Sequence, residues 1–213
     1  MTKILAFDCD STLSAIEGVD ELARFKGQSV FKQVESLTNQ AMNGQISVEE
    51  VFGKRLEMIR PTEDECLKIG KKYIERVEPT ALYTIHSARK NGWTPIIISG
   101  GFVPVIKPLA EYLNIETIQA VPLHFDNQGN YKGFDSHYPS TRDGGKIEMI
   151  KKIKAVKHPE KIIMVGDGNS DLETQSEVDL FVGFGGFVQR PKVKTGAKHF
   201  IHKLQQVLPL LGI

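Results

Sequence analysis

The sequence predicts an α/β fold: a doubly wound parallel sheet carrying an inserted helical cap and a small β-hairpin insertion. Two observations carry this. Ile4 to Phe7, Pro95 to Ile98 and Ile162 to Val165 are continuous apolar runs, the pattern of strands buried on both faces. Helical periodicity precedes the second and third, over Ala81 to Asn91 and Lys146 to Val156. Each run also ends in a polar or glycine-rich cluster: Asp-Cys-Asp-Ser-Thr, Ser-Gly-Gly, and Gly-Asp-Gly-Asn-Ser-Asp. Open parallel sheets bind ligands at the carboxyl ends of their strands, so the three clusters are expected to converge in one crevice.

The remaining elements follow in chain order. Residues 13–78 show helical pattern without strands, over Val19 to Phe25, Phe31 to Met42, Val48 to Met58 and Thr62 to Arg76. Asn43-Gly44 and Arg60-Pro61 punctuate these helices, and Ser47 and Thr62 are candidate N-caps with Glu50 and Glu65 three residues on. The expected organisation is a core from 1–12 and 79–213, with 13–78 as a cap over the crevice. Between the short apolar stretches of Val121 to Phe134, Asn127-Gln128-Gly129-Asn130 reads as a hairpin turn. Leu180 to Val182 reads as a strand, Gly183 to Gly186 as a turn, and His199 to Ile201 as a short strand before a terminal helix from about Lys203.

Composition limits the function classes. At 213 residues, the chain is one large domain or one domain with an insertion, against a prior of roughly 150 residues per domain. With 40% hydrophobic and 25% charged residues, it falls in the globular range, which excludes a long disordered protein. Lys+Arg 27 against Asp+Glu 26 leaves a net charge of +1. No excess charge attracts nucleic acid or an anionic membrane. Cys9 and Cys66 are too few for a disulfide framework and lack metal-site spacing, so reduced thiols and a cytoplasmic location are expected. The first apolar run stops at Asp8, too short for a signal-peptide core or a membrane span.

Asp8 and Asp10 flank Cys9, and on a continuing strand the two carboxylates share one face. Alone, they are equally well explained as an Asp-rich turn capped by Ser11 or Thr12. Asp167 and Asp171, at the end of another strand, shift the balance toward a cation site. Like charges about 4 Å apart repel by roughly 4 kcal/mol at intermediate dielectric. An oxygen-ligated divalent ion, most simply Mg²⁺, resolves the crowding. Competing motifs fail on spacing. Asp167, Asn169 and Asp171 open like a calcium loop, but Leu172 and Val178 stand where Gly and Glu are needed. Gly183-Phe184-Gly185-Gly186 lacks the third glycine of a dinucleotide site, and no nucleotide P-loop occurs.

Ser99, Gly100 and Gly101 offer a hydroxyl and closely approachable N–H groups for a phosphate oxygen, with a plain Gly-Gly turn as the alternative. Lys146 opens a helix, where a cation gains nothing from the macrodipole, which hints at an anionic partner; a solvated lysine is the alternative.

In order, Asp8-Cys9-Asp10-Ser11-Thr12, Ser99, Lys146 and Gly166-Asp167 to Asp171 resemble the motifs of the haloacid dehalogenase superfamily of phosphotransferases. Glu17 to Leu22, Ile98 to Phe102, Gly144-Gly145-Lys146 and Val182 to Gly186 are similar to its phosphoserine-hydrolysing members, across nearly the whole chain. The resemblance implies that Asp8 is the nucleophile and Asp10 the acid and base. It implies Mg²⁺ held by Asp8, the Asp10 backbone carbonyl and Asp167, with Asp171 in or near its shell and Ser170 in support. Some members carry Asn at the Ser170 position. Ser99, Gly100 and Lys146 are implied to hold the phosphoryl group, Glu17 the substrate amino group and Arg55 its carboxylate, with Met42 on the apolar side. By sequence alone Glu17 and Arg55 would be surface charges. The implied reaction is hydrolysis of O-phospho-L-serine, the last step of serine biosynthesis, by a monomer or homodimer. Alternatives are another small phosphomonoester, such as phosphoethanolamine or homoserine phosphate, or a receiver-like phospho-accepting signalling module.

Overall fold

The computed structural model describes residues 2–42 and 46–213, with the side chains of Asn39, Ala41 and Met42 also outside the description. The Asn43-Gly44 break therefore lies outside the described residues. The chain opens with β1 (Lys3–Phe7) and continues through α1 (Gly18–Phe25), α2 (Gln28–Met42), α3 (Val48–Ile59), α4 (Glu63–Glu75) and α5 (Ala81–Lys90). It then forms β2 (Trp93–Phe102), α6 (Val103–Tyr112), β3 (Thr117–Val121) and an antiparallel hairpin of β4 (Leu123–Phe125) and β5 (Tyr131–Phe134). Next come α7 (Gly145–Lys157), β6 (Lys161–Gly166), α8 (Asn169–Leu172), β7 (Leu180–Phe184), α9 (Pro191–Gly196) and β8 (His199–Ile201). A 3₁₀ segment, Leu204–Leu211, follows.

Six strands pair in parallel in the order β3-β2-β1-β6-β7-β8. The chain winds outward from β1 in one direction through β2 and β3, then returns to the other side through β6, β7 and β8. That reversal at β1 opens the crevice of a doubly wound sheet. Successive side chains of β1 enter different cores: Leu5 and Phe7 join Ile97, Ile163 and Val165 on one face, whereas Ile4 and Ala6 join Ile96, Ile98, Ile162 and Met164 on the other. Burial on both faces is why these strands read as unbroken apolar runs. Met149, Ile150 and Ile153 of α7 cover the second face, and side chains from α1 to α6 share the core of the first.

The two predicted caps form. Ser47 Oγ accepts from Glu50 N–H at 3.1 Å, and Thr62 and Glu65 exchange side-chain and backbone bonds in a capping box, an arrangement worth about 1 kcal/mol per cap. Four expectations need correction. Ser99 to Gly101 are not a turn after β2 but part of it: the strand resumes pairing at Phe102 with Val121 after a register shift. The two glycines allow that irregularity without a side chain to accommodate. Val121 closes β3 and does not open the hairpin, whose arms begin at Leu123. Gly183 belongs to β7, where a Cβ would crowd Ala197 and Val193. The terminal segment is 3₁₀, with Pro209 inside it, where the missing N–H disfavours a regular α-helix.

Candidate active site

The registers Phe7↔Ile97 and Phe7↔Val165 bring the end of β1 beside the end of β6 and beside Ile97 of β2, two residues before Ser99. Asp8 N–H still donates to Val165 C=O at 2.9 Å, but the strand has ended. Asp8-Cys9-Asp10 belongs to a turn in which Leu13 and Ser14 N–H return to Cys9 C=O, at 2.9 and 3.1 Å. Ser11 takes the left-handed region at φ 52°, uncommon for a residue with a Cβ. Its hydroxyl donates to Glu17 Oε1 at 2.6 Å. The expected shared face of Asp8 and Asp10 therefore gives way to separate partners, because a turn does not keep the two-residue period of a strand. Cys9 is fully buried in the core.

Asp8 faces Lys146. The Lys146 ammonium lies 2.9 Å from Asp8 Oδ1 and donates to Asp171 Oδ1 at 2.6 Å, with all three groups buried. Burial opposes the charge on Lys146, but the Asp171 and Asp8 carboxylates outweigh it and raise its pKa. Lys146 is thus no solvated lysine. Burial pushes the Asp171 carboxyl up to about 8, reinforced by Asp8 and opposed by Lys146. Gly166 is required here, since a Cβ at that position would collide with the Asp171 carboxyl.

Asp167 completes the acidic group. Thr12 Oγ1 donates to its Oδ1 at 3.1 Å and Arg190 Nε to its Oδ2 at 3.0 Å. Burial and the charge of Asp8 raise its pKa, against the pull of Arg190. Ligand oxygens of Asp8, Asp167 and Asp171 all lie within 4.8 Å of one another. Three buried carboxylates with raised or crowded charges form an all-oxygen donor set that fits a hard divalent cation. Asp10 contributes no side-chain oxygen to that group.

Asp10 is held elsewhere. Tyr73 O–H donates to its Oδ1, and Gly18 N–H donates to its Oδ2 at 3.1 Å. Burial and the charge of Glu17 push its carboxyl well above the ordinary range, although the Tyr73 bond opposes this. A carboxyl shifted toward its protonated form suits a general acid. Glu17 precedes α1, 3.7 Å from Arg190, and burial raises its pKa as well.

Ser99 is buried, its Oγ accepting from Gly101 N–H at 3.0 Å, and Gly100 has open space where a Cβ would stand. Arg55, on α3, donates from Nη1 to Thr38 Oγ1 at 3.2 Å, while its Nε is buried with no partner among the described residues. Burial lowers the Arg55 pKa, against the opposing charge of Asp20. Ser170 is exposed on α8 and makes no side-chain hydrogen bond among the described residues. The expectation for Met42 lies outside the described residues.

Sequence reasoning missed Tyr73 and Arg190 and treated Thr12 only as a turn cap. Tyr73 continues the core spacing of Cys66 and Ile69 on α4, so its hydroxyl was masked by an apolar pattern. Arg190 lies in a loop just before Pro191 and belongs to no motif.

Comparison with known proteins fits this geometry. Residues 5–174 match the family of haloacid dehalogenase-like hydrolases. The chain is 35% identical over 206 residues to phosphoserine phosphatase of Mus musculus, covering 96% of this chain and 91% of that protein. Its fold is similar to a crystal structure of a phosphoserine phosphohydrolase-like protein from Francisella tularensis, with a TM-score of 0.85, 26% identity and coverage of 99% and 100%. A structure of a phospho-aspartyl intermediate analogue of phosphoserine phosphatase matches with a TM-score of 0.81, 26% identity and coverage of 98% of each chain. With its acidic crevice at the end of β1 and a family match across most of its length, the chain belongs to the haloacid dehalogenase-like hydrolases.

Proposed function

We propose that the protein hydrolyses O-phospho-L-serine to L-serine and phosphate, with Asp8 as nucleophile. The observation that carries the reading is the buried contact of Lys146 with both Asp8 and Asp171 beside Asp167. It supports a carboxylate nucleophile in a site built to gather anions around cations. An Asp8 carboxylate oxygen attacks phosphorus, the bond from phosphorus to the seryl oxygen breaks, and Asp10 delivers its proton to that oxygen. Asp10 then takes a proton from the water that attacks the aspartyl phosphate, releasing phosphate and restoring Asp8. Lys146, Ser99 and the Gly100 N–H hold the phosphoryl oxygens as charge moves onto them. Asp8, Asp167 and the Asp10 backbone carbonyl would hold Mg²⁺, with Asp171 and Ser170 in support. The ion supplies positive charge that offsets repulsion between Asp8 and the phosphate dianion.

Specificity is assigned to residues 13–78, read as a cap on a core of 1–12 and 79–213. Glu17 takes the substrate ammonium, the buried Nε of Arg55, with no partner among the described residues, supports its role toward the carboxylate, and Met42 lines the apolar side. A cytoplasmic monomer or homodimer completes the reading. Among the described residues no helix is long and apolar enough to cross a membrane. Phosphate release from O-phospho-L-serine, phosphoethanolamine and homoserine phosphate, with Mg²⁺ and with chelator, tests it. Fastest turnover on phosphoserine, lost on chelation, is expected. Preference for a carboxylate-free ester would reassign the substrate, and phosphate retained without turnover would favour the receiver-like alternative.

A further inference from the structure

Asp10 is clamped from both sides by residues outside the turn that carries it. Tyr73 O–H reaches Oδ1 from the last full turn of α4, and Gly18 N–H reaches Oδ2 from the start of α1. Tyr73 is fully buried, and its hydroxyl packs so closely on Gly18 that a Cβ there would displace it. The end of α4 is in turn tied to the Asp10 turn: Ser14 Oγ donates to Tyr73 C=O at 3.1 Å, and Ala15 N–H to Arg76 C=O at 3.0 Å.

We propose that Tyr73 is a positioning residue for Asp10, fixing the carboxyl in the one orientation from which it passes a proton to the leaving oxygen. A carboxylic acid held at one oxygen still turns about its Cβ–Cγ bond. Held at both, it does not. Each oxygen keeps a second lone-pair direction, so the transferable proton resides on the acid without breaking either bond. Because misplacement of a reacting group costs rate steeply, the phenol acts through orientation and never touches the substrate. This rests on the assignment of Asp10 as the acid.

The test is Tyr73→Phe, which deletes the hydroxyl and keeps the ring, assayed as kcat/KM on O-phosphoserine and on 4-nitrophenyl phosphate. An alkoxide leaving group needs the proton and a nitrophenolate does not. A loss of ~10-fold or more on phosphoserine, with the aryl ester within ~2-fold of wild type, is expected. Gly18→Ala, which pushes the phenol off Asp10 by a separate route, should reproduce that ratio and stands in should Tyr73→Phe fail to fold. In an Asp10→Asn background, Tyr73→Phe should add no further loss. Equal losses on both esters, or none on phosphoserine, overturn the proposal. Wild-type protein that turns over the aryl ester but no alkyl phosphate would instead overturn the functional assignment.

Discussion

The Lys146 ammonium lies 2.9 Å from Asp8 Oδ1 and also touches Asp171, so one buried cation bridges the proposed nucleophile and its neighbour. Replacing it with Met leaves the buried Asp8 carboxylate beside the acidic groups of Asp167 and Asp171 without its compensating cation. Breaking a buried ion pair from one side typically costs about 3–5 kcal/mol. Urea unfolding of metal-free Lys146→Met should show a loss in that range near neutral pH, and phosphoserine turnover should fall by about 10²-fold or more. An unchanged unfolding midpoint would mean that Lys146 does not support the acidic cluster.

The same cluster makes stability depend on pH in a definite direction. Burial and the charge of Asp8 push the Asp171 carboxyl from its ordinary value of 3.8 up to about 8 in the folded state, which therefore binds its proton more tightly. Its contribution is complete below the unfolded value and disappears as pH rises through the folded one. Asp167, also raised, acts with the same sign. The melting temperature of metal-free protein should therefore fall between about pH 5 and pH 8. Mg²⁺ should restore stability most at the alkaline end, where no proton has to be displaced. Calorimetric scans with chelator and with Mg²⁺ check this; a melting temperature that rises across that range without metal would contradict it.

Arg55 separates specificity from chemistry. Arg55→Ala should reduce kcat/KM on phosphoserine by about 2 kcal/mol, roughly 30-fold, through loss of a charge-assisted bond to the substrate carboxylate. Phosphoethanolamine, which lacks that carboxylate, should be hydrolysed poorly by wild type and little worse by the variant. Because Arg55 Nε is already buried without a partner among the described residues, thermal stability should change little or rise. Equal kinetic losses on the two esters would remove Arg55 from the specificity pocket.

What the sequence disclosed follows from the physics of each segment. Strands buried on both faces must be apolar throughout, so Ile4 to Phe7 and Ile162 to Val165 were plain, as were the polar residues at their ends. The helix Val103–Tyr112 carries two prolines, Pro104 and Pro108, a residue type that disfavours helix interiors, but Pro104 sits at the helix start, where its missing N–H costs nothing. The strand Thr117–Val121 mixes half-buried Thr117 and Gln119 with apolar residues and lies at the sheet edge, without the apolar run of its neighbours. Asp8, Lys146, Asp167 and Asp171 were legible because carboxylates and a lysine at strand and helix ends have little structural reason to be there. Tyr73 and Arg190 were not. One hides a polar tip on an apolar ring, and the other reaches Asp167 from a distant loop by a contact only the fold creates.

In the proposed reaction the phosphoryl group passes through Asp8. Protein mixed with O-phosphoserine and Mg²⁺, quenched in acid within a turnover and digested, reports this by mass spectrometry. One phosphoryl group should appear on the peptide carrying Asp8. The same peptide from a folded Asp8→Asn variant should carry none, and that variant should release no phosphate. Sustained hydrolysis by Asp8→Asn, or a phosphoryl group on any other residue, would contradict the account.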